Sequence, residues 1–296
     1  MLDNLVRIGL KNNKGYGALA SVLEKEILHH DILTVMSEHQ LFTNLTFIGG
    51  TALRLCYSSA RLSEDLDFAA MQQFDVNTMR GFSNEIEAYL NKKYQLNVQV
   101  KEPSISKTDT STWKISIEKL SNRPDIPTQK IHVDICTVPS LRPEYMAIKN
   151  HYGLPVSTDA LLIPVQTREE ILADKFIALA FRNRVKPRDL WDILWLKQQG
   201  VAVDINDIIA KLGLRAKTLV EFESNLNTVL VDLETDIRKT EFNKEMSRFV
   251  PEQVAARTVN NINYWSYLKK EITGGALSLI KEINTPNVAN EFDMGL

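Results

Sequence analysis

The sequence predicts an α+β fold: an N-terminal lobe with a mixed β-sheet flanked by helices, then a C-terminal helical bundle. Three observations predict it. Phe47 to Arg54 runs from an apolar strand through Gly49-Gly50 into a helix pattern. Three segments between Leu96 and Ile135 alternate apolar and polar residues, the period of a half-buried strand. After Pro155 the spacing becomes almost entirely helical. The boundary falls near residue 160, giving an α/β domain over 1–160 and a helical domain over 161–296.

The elements follow in order. Leu19, Val22, Leu23, Ile27, Leu28, Ile32, Leu33 and Met36 recur at helical steps, predicting a helix over 17–40. Residues 44–48 form a strand, 51–57 a helix and 66–69 a second strand. A helix follows over about 77–92, through Met79, Phe82, Ile86 and Leu90. Strands are then expected at Leu96–Val100, Trp113–Ile117 and Ile131–Ile135, the last two joined as a hairpin through the turn formers of 121–128. Thr167 with Glu170 has the spacing of a capping box. Helices are expected from there at 168–183, 188–199, 204–212, 217–235, 250–258, 260–272 and 276–283, with fraying from Thr285.

The chain has 296 residues, 44% hydrophobic and 24% charged, with a net charge of -2. This is a globular composition without the global basic excess of a nucleic-acid-binding protein, so any such surface must be local. Its two cysteines, Cys56 and Cys136, lie in apolar contexts that predict buried free thiols and exclude a disulfide framework. The N-terminus lacks the pattern of a signal peptide, and no apolar run is long enough to span a bilayer. The expectation is a cytoplasmic protein without membrane contact.

Asp65 and Asp67 are the first candidates for chemistry. At i and i+2 of a strand they share a face. Paired carboxylates repel unless a cation sits between them, and Mg²⁺ takes such ligands together with substrate phosphates. The simpler alternative is a turn cap or an ion pair with Arg61. Glu64 alternates with Asp65 and is not assigned to the metal. Asp134 lies opposite the apolar side of its strand and would complete a three-carboxylate cluster or act as general base. Its alternative is a solvated strand residue. His132 shares the face of Asp134, whereas His29 and His30 fall in a helix and are expected to be structural or surface residues.

Lys175 and Arg182 lie seven apart on one helix and share a face, where a lysine can neutralise a triphosphate. Arg182, Arg184, Lys186 and Arg188 surround the helix-breaking Pro187, a patch suited to a phosphate backbone. The commoner outcome for such a run is a solvated loop, with Asp189 and Asp192 capping the next helix and pairing with the arginines. The sequence holds no GxxxxGK[ST] loop, GxGxxG fingerprint, HExxH zinc motif or G-x-S-x-G elbow.

The segments Gly49 to Arg54 and Arg61 to Phe68, with Ala173-Asp174-Lys175 and Arg188-Asp189, resemble the AbiEii/AbiGii nucleotidyltransferase toxins. This family includes the MenT toxins and lies within the polymerase-β-like superfamily. The resemblance covers most of residues 40–195; the last hundred residues share only its helical character. It implies that Gly49, Gly50 and Thr51 hold the triphosphate, with Thr51 in place of a more usual serine. It also implies that Asp65 and Asp67 hold Mg²⁺ in a two-metal arrangement, with Asp134 as the third acid. Lys175 and Asp189 belong to the functional set, and Arg61 and Ser63 match nucleotide-contacting and modifiable positions.

The activity implied is that of a bacterial toxin–antitoxin system, in some members linked to phage defence. A nucleotide, often a pyrimidine, passes from a nucleoside triphosphate to the 3′ end of tRNA and blocks translation. The implied protein partner is an AbiEi-like antitoxin. Two alternatives remain: the same transfer to a protein or small-molecule acceptor, and a non-catalytic binding module. Retention of Asp65, Asp67 and Lys175 weighs against the last.

Overall fold

The computed structural model describes residues 1–71, 79–103, 109–118 and 128–285. It divides into two compact units, residues 1–166 with 249–252, and residues 167–248 with 253–296.

The first unit contains α1 (Leu2–Asn12), α2 (Ala20–Glu38), β1 (Leu45–Ile48), α3 (Gly49–Leu55), β2 (Leu66–Ala70) and α4 (Phe82–Tyr94). β3 (Asn97–Lys101), β4 (Thr110–Glu118), β5 (Gln129–Cys136), β6 (Pro143–Ala147) and β7 (Leu162–Gln166) complete it. The seven strands form one mixed sheet in the order β3-β4-β5-β2-β1-β7-β6. β2 runs parallel to β5 and β1 parallel to β7; the other neighbours are antiparallel. α1, β6 and β7 are additions to the expected elements. β6 is exposed along most of its length and β7 contains Pro164, so neither carries the clean alternation that marks β3 to β5.

Strand alternation divides the sheet into unlike faces. Leu66, Phe68, Trp113, Ile115, Ile117, Ile131, Val133 and Ile135 are buried. α2 packs on β5 and α4, and α4 packs on β3. Phe82 of α4 meets Trp113 of β4 edge to face, with ring centroids 6.5 Å apart. The opposite residues of β3 to β5 are polar and exposed or half-buried. The mixed architecture thus follows the sequence pattern.

α2 is buried nearly all round. His29 and His30 are both interior, so the surface option for them is wrong. Glu26, fully buried, accepts from Arg54 Nε at 3.1 Å, from the Ser63 backbone N–H at 2.8 Å and from the Tyr152 hydroxyl. Burial alone would lower the Arg54 pKa, but Glu26 beside it outweighs that and raises it. Cys56 is buried and its thiol is pushed up to about 12 by burial. Cys136 is only half-buried, because it lies on the polar face of β5 with Asp134.

The second unit is helical: α5 (Arg168–Phe181), α6 (Pro187–Gln198), α7 (Ile205–Leu214), α8 (Leu219–Asp232), α9 (Asp236–Met246), α10 (Glu252–Arg257, whose first residue belongs to the first unit) and α11 (Tyr264–Ile283). α9 was not among the expected helices, and one continuous α11 replaces the two expected over 260–283. The capping box at Thr167 does not form. Glu170 instead turns inward to Lys211, 2.7 Å away, and both are buried. Thr218 and Glu221 make a true capping box at the start of α8. The hairpin turn at 121–127, the first residues of the helix expected from 77, and the tail from 286 lie outside the described residues.

Candidate active site

The strand–turn–helix from β1 into α3 requires its glycines. Gly49 has φ +77, and a Cβ there would lie 2.7 Å from Oδ2 of Asp67. A Cβ at Gly50 would run into Nη2 of the buried Arg61. The two glycines therefore let an acid and a guanidinium close on the turn, a placement that side chains would prevent.

Thr51 is fully buried, and its hydroxyl lies 2.7 Å from Ser63 Oγ and donates to the carbonyl of Asp65. Ser63 is also buried, its N–H held by Glu26. Thr51 and Ser63 thus brace the segment that delivers Asp65. Glu64 turns away to Lys25, at 2.9 Å, as its alternation predicts.

The acids collect on the polar face where β2 meets β5. Asp67 and Asp134 are register partners on these adjacent parallel strands. Side chains so placed point the same way from neighbouring backbones about 4.8 Å apart. Asp134 pairs in turn with Thr112 of β4, whose hydroxyl donates to its Oδ1 at 2.5 Å. Asp65, just before β2, has Oδ1 held by the backbone N–H of His132 at 3.1 Å and lies 3.3 Å from that ring's Nδ1. All three acids are half-buried and open to solvent. Among the described residues, no three His, Cys, Asp or Glu side chains are gathered around one point as a complete metal cage. The carboxylates do supply the hard oxygen donors that Mg²⁺ takes, one or two at a time, beside substrate phosphates.

In the second unit, Lys175 lies between Asp189 and Asp192, with Nζ 2.8 Å from an oxygen of each. Arg182 also binds Asp189. Burial alone would raise the Asp189 carboxyl, but Lys175 and Arg182 outweigh it and hold the group below the ordinary aspartate value. Asp192 is fully buried and shares Lys175 with Asp189, three residues before it on α6, a partner beyond those expected from its place in the sequence. Of the basic run, Arg182 is committed to Asp189 and Arg188 to Glu245, the latter at 3.1 Å. Arg184 is exposed and Lys186 half-buried.

A turn that delivers paired strand acids, in a mixed sheet followed by helices, is the arrangement of a nucleotidyltransferase. The family model described as "Nucleotidyl transferase AbiEii toxin, Type IV TA system" matches residues 31–267, and the chain belongs to this family. Among solved structures, the nucleotidyltransferase toxin MenT4 of Mycobacterium tuberculosis is similar at 15% identity and a TM-score of 0.52, over 94% of this chain and 99% of that one. JHP933 of Helicobacter pylori is similar at 15% identity and a TM-score of 0.46, over 91% of this chain and 96% of that one. No functionally curated protein matches the sequence. The chain is thus a nucleotidyltransferase toxin of a type IV toxin–antitoxin system. Among the described residues, no helix is long and apolar enough to cross a membrane.

Proposed function

We propose that the protein transfers a nucleotide, a pyrimidine, from a nucleoside triphosphate to the 3′ end of tRNA in the presence of Mg²⁺, and so blocks translation. The observation that carries this reading is the register pairing of Asp67 with Asp134, with Asp65 fixed beside them. The acceptor's 3′ oxygen attacks the α-phosphorus, the bond from that phosphorus to the bridging oxygen breaks, and pyrophosphate leaves. Mg²⁺, when bound, polarises the phosphate and lowers the pKa of the attacking hydroxyl. Asp65, Asp67 and Asp134 would hold it, one oxygen of Asp134 being fixed by the Thr112 hydroxyl. Asp134 also serves as proton acceptor for the hydroxyl.

The N–H groups of the Gly49-Gly50 turn bind the triphosphate, and the buried guanidinium of Arg61, packed against Gly50, adds positive charge behind the turn. Thr51 and Ser63 act chiefly through the backbone that they brace. In the second unit, Lys175 is the charge-stabilising residue, and Asp189 and Asp192 position its ammonium group. Arg184 and Lys186 are the members of the basic run best placed for RNA. A cognate AbiEi-like antitoxin is the protein partner, and a tRNA acceptor fits a cytoplasmic location.

The test is a labelling assay with total tRNA, Mg²⁺ and each α-³²P nucleoside triphosphate in turn. Label from one pyrimidine on tRNA, absent with Asp65→Ala of unchanged melting temperature, is the expected result. Full activity in that variant would rule out the site. Label on protein or on a small molecule would overturn the RNA acceptor.

A further inference from the structure

The polar face of the sheet carries exposed lysines, in register with His132, that lead to the acids and have no part in the activity described above. Lys101 of β3 is the register partner of Lys114 of β4, and Lys114 is the partner of His132 of β5. The backbone of His132 in turn holds Asp65. One row across three strands thus reads Lys101, Lys114, His132 and ends at a candidate metal acid. One step along the same face, Gln99, Ser116 and Lys130 form a second row.

Lys101, Lys114 and Lys130 are all exposed. Among the described residues none of the three is ion-paired. Like charges directly opposite across a strand pair are unfavourable. Two other lysines of the unit do sit beside an acid, Lys25 at Glu64 and Lys93 at Asp31, whereas among the described residues Lys101, Lys114 and Lys130 do not. Glu118, at the far end of β4, is bonded to Asn97 at 2.8 Å. At a strand spacing of about 4.8 Å, Lys114 and Lys101 stand about 10 and 14 Å from β2 along the sheet.

We propose that this face of β3, β4 and β5 is a track for a single-stranded phosphodiester backbone. Lys114, Lys101 and Lys130 neutralise successive phosphates and leave the strand's 3′ end at Asp65, Asp67 and Asp134. Charge complementarity selects the occupant: cations on an open polar face with Gln99 and Ser116 between them suit phosphates and sugar hydroxyls, and an apolar partner finds nothing to bury. Recognition is independent of base sequence, since the row offers charge rather than a shaped pocket. The inference deepens the transferase reading by locating the acceptor, and it rests on the acceptor being a nucleic acid.

The experiment measures binding of a short single-stranded oligoribonucleotide to the full chain across a salt series, for wild type, Lys101→Ala/Lys114→Ala and Lys101→Arg/Lys114→Arg. Each phosphate released from a lysine lowers the slope of log K against log salt by about 0.7 for a single strand. The alanine pair should therefore bind more weakly at low salt, with a slope smaller by about 1.4, and the arginine pair should keep the wild-type slope. Melting temperatures of the variants serve as the control for folding. An unchanged slope in the alanine pair, or no binding by wild type, overturns the track. The labelling assay fails separately: wild type that binds the strand with the expected slope and labels no RNA keeps the track and loses the transferase reading. Labelled tRNA with an unchanged slope does the reverse.

Discussion

A Cβ at Gly49 would stand 2.7 Å from the Oδ2 of Asp67. With Asp67 in this position the turn has room only for glycine at 49, so the backbone at one end of the pair limits where the carboxylate can lie at the other.

Gly49→Ala should lose activity out of proportion to its loss of stability. The left-handed backbone at φ +77 costs an L side chain about 1–2 kcal/mol, and the new methyl also displaces Asp67. Nucleotide transfer and thermal melting, measured on the same preparation, check this. Activity near wild type would show that Asp67 tolerates movement and does not bind metal.

His132 should act on metal affinity through Asp65. His132→Ala keeps the backbone N–H but removes the ring 3.3 Å from Oδ1. Loss of a group that orients a metal ligand weakens metal binding by about 10-fold or more. Mn²⁺ titration followed by electron paramagnetic resonance should show this for His132→Ala, and a near-normal constant for His132→Asn, whose amide can replace the ring N–H. Equal affinity in all three proteins would remove His132 from the site.

Glu26→Ala should be among the most damaging single changes in the first unit. It leaves Arg54 buried without its carboxylate and frees the Tyr152 hydroxyl and the Ser63 N–H. Breaking a buried pair from one side costs about 3–5 kcal/mol. Urea unfolding gives the number; a change under 1 kcal/mol, on the order of an exposed pair, would contradict the burial argument.

Stability should fall between pH 6.5 and about 4 through His30. Burial, together with His29 nearby, lowers its pKa from 6.5 to about 4. A folded pKa depressed below the unfolded one means that His30 contributes fully above pH 6.5. The contribution fades as the unfolded chain takes up a proton that the folded chain refuses, and is gone below about 4. The loss amounts to about 3 kcal/mol. His29 and His151, also lowered by burial, act in the same direction. His30→Gln should flatten the profile of unfolding free energy over that range, and an unaltered profile would sink the assignment.

The sequence by itself determined what depends on local period. The alternation of β3, β4 and β5 put Asp134 and His132 on the face opposite Ile131 and Val133, because successive strand side chains point to opposite sides. The same rule turned Glu64 away from Asp65; Lys175 and Arg182, read from their spacing as sharing a helix face, do meet on Asp189, although Arg182 lies just past the end of α5. The glycine turn was legible because few residues other than glycine tolerate the close approaches at Gly49 and Gly50.

The tertiary structure decided which strands are neighbours. That β5 lies parallel to β2, so that Asp134 meets Asp67, depends on pairing between segments 67 residues apart, which no local pattern encodes. It also decided that Thr51 braces Asp65, that Glu170 seeks Lys211 in preference to capping α5, and that Asp192 shares Lys175 with Asp189. Each of these polar groups is buried, and a buried polar group takes whatever partner the packing brings within reach. Spacing along the chain announces the group, and only the assembled core supplies the partner.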